Sequence, residues 1–170
     1  IAHTAVTACN THTLTDNGGD VACGSLGKLV ACAERHEKII FAKLVDVVED
    51  VVAYFKDFAR RAMDAGVRNW ILDPGFGFAK TTAQNYQMMR ELRKFRKPYA
   101  LGTIPQILVG VSRKSMIYKT FDITPEEALP QTQVLHLKAL QEGASILRVH
   151  DVAATRQIVD LFNYYNKVVG

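Results

Sequence analysis

Three clusters of polar residues, each at the end of a short apolar run, carry the chemistry this 170-residue sequence can do. The first is Asp73-Pro74-Gly75-Phe76-Gly77-Phe78, the second Ser112-Arg113-Lys114-Ser115, the third Arg148-Val149-His150-Asp151. A carboxylate such as Asp73 can accept two N–H bonds from a guanidine-like ligand edge. Gly77 would let the backbone approach that ligand, and Phe78 would offer an aromatic wall. Lys114 supplies a point-charge donor for a ring carbonyl or a phosphate. Ser112 and Ser115 can cap a short helix or hydrogen-bond a substrate, while Arg113 reads as a structural ion-pair partner. Arg148 lies inside an apolar strand run, where a charge needs an acidic partner or an anionic ligand. Its planar guanidinium can also stack on a flat heterocycle. His150, two residues on, faces the same way in a strand, and the pair reads as a diphosphate clamp. Each residue alone has a blander reading: an Asp-Pro turn with glycines at positive φ, a solvated surface lysine, a capping or core histidine.

The elements that must position these groups are clear from Leu44 onward. Leu44, Val48, Val51, Phe55, Phe58 and Ala62 recur at helical spacing, and Gly66 is a natural stop. Val67–Leu72 predicts a buried strand, and Thr82 caps a predicted helix to about Phe95, with Tyr86, Met89, Leu92 and Phe95 inward. Gln106–Val111 and Ser145–Val149 predict two more strands. Thr124-Pro125-Glu126-Glu127 predicts a capping box opening a helix that Pro130 bends and Gly143 ends. A last helix over Val152–Val168 carries Ile158, Phe162, Tyr165 and Val169 on one face. Strands that are short, apolar and not alternating suit a parallel sheet buried on both faces. In such sheets functional groups collect at the carboxyl ends of the strands, where all three clusters fall.

Residues 1–43 hold all three cysteines and none of the five prolines. We read them as an atypical, poorly defined segment, with residues 44–170 as the βα units. Asp16-Asn17-Gly18-Gly19 predicts a turn, Leu26–Arg35 a short helix, and Lys38–Phe41 a short strand. Cys9, Cys23 and Cys32 are odd in number and irregular in spacing, so they predict free thiols rather than a disulfide framework or a metal site. His3, His12, His36 and His136 have no defensible ligand spacing. The formal net charge is +4 with no dense basic tract, which argues against a nucleic-acid partner and suits an anionic small molecule. No apolar run reaches the ~18 residues of a membrane span, and the first residues lack the pattern of a signal peptide.

Together DPGFGFAK (Asp73 to Lys80), GVSRKS (Gly110 to Ser115) and LRVHDV (Leu147 to Val152) resemble the dihydropteroate synthase family, over about Leu44 to Val169. The resemblance implies the βα units of a TIM-type (β/α)8 barrel. A whole barrel takes ~250 residues, so an incomplete barrel made of its C-terminal half is expected. It implies a transferase of folate biosynthesis that joins 7,8-dihydropterin-6-ylmethyl diphosphate to 4-aminobenzoate, giving 7,8-dihydropteroate and diphosphate. Asp73 would then bind the guanidine-like edge of the pterin, Lys114 the pterin beside the aminobenzoate site, and Ser115 the aminobenzoate carboxylate. Gly110 and Phe78 would line the pocket. Arg148 would stack on the pterin and, with His150, hold the diphosphate. Asp73, Lys114 and Arg148 are thereby the expected catalytic set. The family's Mg2+ would come with the diphosphate, with no metal ligand assigned in this chain. A cytoplasmic homodimer without nucleic-acid or membrane partners is expected. The motifs of the family's N-terminal half are not found in residues 1–43, which sets a second expectation beside the first: a catalytically inactive pterin-binding or assembly fragment.

Overall fold

Asp46 opens the first well-packed element. Its Oδ1 accepts the backbone N–H groups of Val48 at 2.9 Å and Glu49 at 3.5 Å, which caps helix α1 (Val47–Asp64). The buried stripe is Val48, Val51, Phe55, Phe58 and Ala62, widened by Val47, Val52 and Ala59. Gly66 then turns the chain at φ +81°, and the Val67 N–H returns to the Ala62 carbonyl at 2.8 Å. The computed structural model describes residues 5–7, 21–23, 28–32, 46–99, 102 and 104–169. The turn predicted at Asp16–Gly19 and the strand predicted at Lys38–Phe41 lie outside the described residues, as do Leu44, Cys9, His3, His12 and His36.

Among the described residues six strands form one sheet: β1 (Ala5–Thr7), β2 (Val21–Cys23), β3 (Lys28–Cys32), β4 (Trp70–Asp73), β5 (Gln106–Val109) and β6 (Ile146–Arg148). Their order is β1-β6-β5-β4-β3-β2, with every pair parallel except β2 against β3. The first strand therefore lies beside the last, the neighbour relation of a closing barrel, and the sheet is part of such a barrel. The helix predicted over Leu26–Arg35 is corrected here. Lys28–Cys32 is a strand paired in parallel with β4, Leu29 opposite Trp70 and Cys32 opposite Asp73. Pairing against a formed strand has overridden a pattern of leucines and alanines that suits a helix.

Between the strands run α2 (Thr82–Arg90), a 3-10 turn (Leu92–Phe95), α3 (Ser115–Phe121) and α4 (Leu129–Gln141), and α5 (Val152–Val169) follows the last strand. Three expectations shift. Thr81, not Thr82, caps α2, in a reciprocal box with Gln84. The helix also ends at Arg90, because the tighter turn eclipses Leu92 and Phe95 and buries both. The Thr124–Glu127 box forms, yet only as a turn. Pro130 lacks the N–H a continuous helix would need, so α4 starts afresh with Pro130 in its first turn.

The core is the face of α1 against the sheet and α2. Phe55 meets Phe95 edge-on at 5.9 Å, and Phe58 meets Trp70 at 6.1 Å. α5 docks through Thr155 and Val159, with Ile158 and Phe162 half-buried. Its predicted inward residues Tyr165 and Val169 are 61% and 67% exposed. An 18-residue helix is ~27 Å long and outruns the sheet beneath it. Among the described residues no helix is long and apolar enough to cross a membrane.

Candidate functional site

β4 ends on Asp73, which is only 1% exposed, so its carboxylate is held inside the rim rather than in solvent. Oδ1 accepts the Gly75 N–H at 2.9 Å, closing the Asp-Pro-Gly turn. The loop that follows is tied from within. Gly77 N–H donates to Asn85 Oδ1 at 2.7 Å, and the Asn85 amide donates to the carbonyls of Thr81 and Lys80. Lys80 Nζ donates to the Gly75 and Phe78 carbonyls at 3.0 and 3.2 Å. Gly77 sits at φ +78°, and a Cβ there would lie 2.6 Å from Lys114 Cδ, so a side chain there would be strained and would push Lys114 aside.

β5 delivers the second cluster. Val109 is in register with Leu147, which sets Gly110 opposite Arg148. Arg113 adopts φ +52°, an uncommon conformation for a residue with a side chain. That reversal sends consecutive side chains to different partners. Ser112, 4% exposed, receives the His150 backbone N–H at 3.2 Å, with the His150 ring Nδ1 at 3.0 Å. Arg113 pairs with both carboxylate oxygens of Asp151, at 2.9 and 2.5 Å, and its N–H donates to Thr132 Oγ1. These hydrogen bonds hold the Asp151 carboxyl below its ordinary value of 3.8. Lys114 extends to the loop, its ammonium 3.7 Å from the centroid of the Phe78 ring.

β6 delivers Arg148, whose Nη2 lies 3.5 Å from Asp73 Oδ2. To reach it the guanidinium crosses Gly110: a Cβ there would lie 2.8 Å from Nε and from Nη2. Asp73, Gly110 and Arg148 thus form one contact set, Gly77, Phe78 and Lys114 a second, and Ser112 and His150 a third. All three follow the carboxyl ends of β4, β5 and β6. Of the two roles open to the serines, capping α3 or bonding a ligand, neither serine takes the cap. Lys114 occupies the capping position of α3 without a side-chain cap bond, and Ser115 is the first helical residue. The rim thus gathers a buried acid, a guanidinium lying across Gly110, an ammonium over a ring and an exposed imidazole. Among the described residues no three His, Cys, Asp or Glu converge on one point.

Two contributors were not singled out from sequence. Asn85 sits on a helix and looks like a solvent-face amide, yet it is buried against Gly77. Lys80 closes the DPGFGFAK run and reads as a surface cation, yet it binds two loop carbonyls. Only the tertiary approach of the loop reveals either. His136 is fully buried, with Nδ1 at 3.4 Å from Thr155 Oγ1, and burial lowers its pKa to about 4.

The family model described as "Pterin binding enzyme" matches residues 30–150, a range that contains every residue of the rim. The dihydropteroate synthase of Haemophilus influenzae is 38% identical over 119 residues, covering 69% of this chain and 42% of that protein. The crystal structure of Burkholderia cenocepacia dihydropteroate synthase superposes with a TM-score of 0.76 at 31% identity, over 84% of this chain and 56% of that one. The same enzyme complexed with 7,8-dihydropteroate gives a TM-score of 0.70 at 35% identity, over 73% of this chain and 46% of that one. The chain spans about two fifths of the length of the curated relatives it matches.

Proposed function

This chain belongs to the pterin-binding enzyme family, and on that premise we propose that its rim serves dihydropteroate synthesis, the condensation of a dihydropterin-methyl diphosphate with 4-aminobenzoate. The observation that carries this reading is the reach of Arg148 across Gly110 to the buried Asp73. A flat heterocycle with an amino-amidine edge would take the Asp73 carboxylate as its acceptor and the Arg148 plane as its stacking surface. Arg148 and His150 would then face the diphosphate, and Lys114 with Phe78 would border the incoming arylamine. Ser115, one position beyond Lys114, would meet its carboxylate.

In the reaction the bond between the methylene carbon and the diphosphate oxygen breaks, and its electron pair leaves on oxygen. The cations at the rim stabilise that growing negative charge. The electron-rich pterin delocalises the positive charge left on the methylene. The arylamine lone pair forms the new carbon–nitrogen bond, and the nitrogen releases one proton to solvent. No enzyme nucleophile takes part. Mg2+ would arrive with the diphosphate, and a second copy of the chain would be its partner.

The test is incubation of the chain with both substrates and Mg2+, with mass-spectrometric detection of dihydropteroate, beside calorimetry of the pterin diphosphate. Product formation supports the transferase. Binding that Asp73→Asn abolishes, without product, assigns the chain pterin binding alone. Equal heats in wild type and Asp73→Asn would overturn both.

A further inference from the structure

We propose that Ser112 is a positioning residue: its hydroxyl holds the His150 ring in the neutral tautomer protonated on Nε2, so that the imidazole meets an anion at the rim as an N–H donor. A serine hydroxyl has one proton and two lone pairs. The His150 backbone N–H, at 3.2 Å from Ser112 Oγ, can only donate, so it occupies a lone pair. The remaining contact of that oxygen is His150 Nδ1 at 3.0 Å. Ser112 is 4% exposed, and among the described residues His150 supplies both hydrogen-bond contacts of its hydroxyl. The hydroxyl proton therefore goes to Nδ1. Reversing that bond, with Nδ1–H on the second lone pair, would leave a buried O–H donor unsatisfied. A neutral imidazole that accepts at Nδ1 carries its proton on Nε2, on the ring side away from Ser112.

The segment geometry is built to hold this arrangement. Ser112 and Arg113 are consecutive, and they bind the consecutive His150 and Asp151 across 38 positions of sequence. Arg113 turns through φ +52° between them, so one residue fixes the ring while its neighbour locks the two segments together. That the donor faces a diphosphate rests on the function proposed above; that the ring is held as this tautomer does not.

The experiment is nitrogen-15 NMR of histidine-labelled full chain near pH 8, with calorimetry of inorganic pyrophosphate alongside. Wild type is expected to show His150 as the Nε2–H tautomer. Ser112→Ala should raise the Nδ1–H population at least threefold and weaken pyrophosphate binding roughly three- to tenfold, the worth of one hydrogen bond. Ser112→Thr, which keeps the hydroxyl, should restore both. A wild-type His150 protonated on Nδ1, or a tautomer ratio that Ser112→Ala leaves unchanged, overturns the proposal. The wild-type spectrum decides even if the alanine variant fails to fold. A serine-dependent Nε2–H tautomer in a chain that does not bind pyrophosphate supports the positioning role and defeats the functional reading; pyrophosphate binding with a serine-independent tautomer does the reverse.

Discussion

Asp73 and Arg148 stand on strands that are not neighbours, yet their charged ends meet at 3.5 Å because Gly110, just beyond the strand between them, has no side chain in the way. The acid is buried and the guanidinium partly exposed, so the pair links the interior of the rim to its surface.

Gly110→Ala should lift the guanidinium off its bed. A methyl there would lie 2.8 Å from Nε and Nη2, so the partly exposed guanidinium must swing away from Asp73 to admit it. We expect helix content unchanged by circular dichroism and affinity for a pterin diphosphate reduced about tenfold or more, a change of about 1.4 kcal/mol in binding. Calorimetry checks this.

Asp73→Asn and Arg148→Gln should not be additive. In a double-mutant cycle read by urea unfolding, the pair should show a coupling of about 1 kcal/mol. Additivity would mean that the two charges do not sense each other.

Acid should weaken the fold through His136. Burial holds its pKa at about 4, against an ordinary 6.5, so between these values the unfolded chain binds the extra proton. Stability from this residue is fully present above pH 6.5 and is lost as the pH falls toward 4, about 3 kcal/mol across that window. Chemical denaturation from pH 7.5 to 4 should show that loss in wild type and a flatter profile in His136→Leu.

The Arg113–Asp151 pair acts in a more acidic window. Arg113 lowers the Asp151 pKa, so the contribution is present above the ordinary 3.8 and disappears as the pH drops through the lowered value. Arg113→Ala should cost about 1–2 kcal/mol at pH 7. It should also titrate Asp151 nearer 3.8, visible in the carboxyl carbon shift.

Phe55→Ala removes a fully buried ring that packs edge-on against Phe95 and Tyr99. The expected loss is about 3–5 kcal/mol, measured by urea unfolding.

The rim was legible in sequence because its charges sit at or just beyond the carboxyl ends of apolar strand runs, Asp73 and Arg148 as the last residues of β4 and β6 and Lys114 in the turn after β5, where chain direction alone assigns the end of the sheet. Asp73, Lys114 and Arg148 needed no more than that, and the α1 stripe needed only its period. What periodicity could not reach was whatever depends on a distant partner. Asn85 looks solvent-facing until the Gly77 N–H arrives. Lys28–Cys32 looks helical until Trp70–Asp73 lies beside it. Tyr165 and Val169 share a face with Ile158, but a pattern does not say where the supporting layer ends. For the serines the pattern left a helix cap and a substrate hydrogen bond both open, whereas Ser112 meets His150, just beyond β6, a partner that only the tertiary fold supplies.

The internal ties of Lys80 and Asn85 have a thermodynamic consequence for whatever docks beside Phe78. The glycine-rich turn satisfies its own carbonyls and amide hydrogens through those two side chains. A guest therefore finds that bank of the cleft already cast, and surrenders no conformational entropy to set it. Discrimination there should rest on shape, with rigid aromatic guests favoured over supple ones of equal polarity.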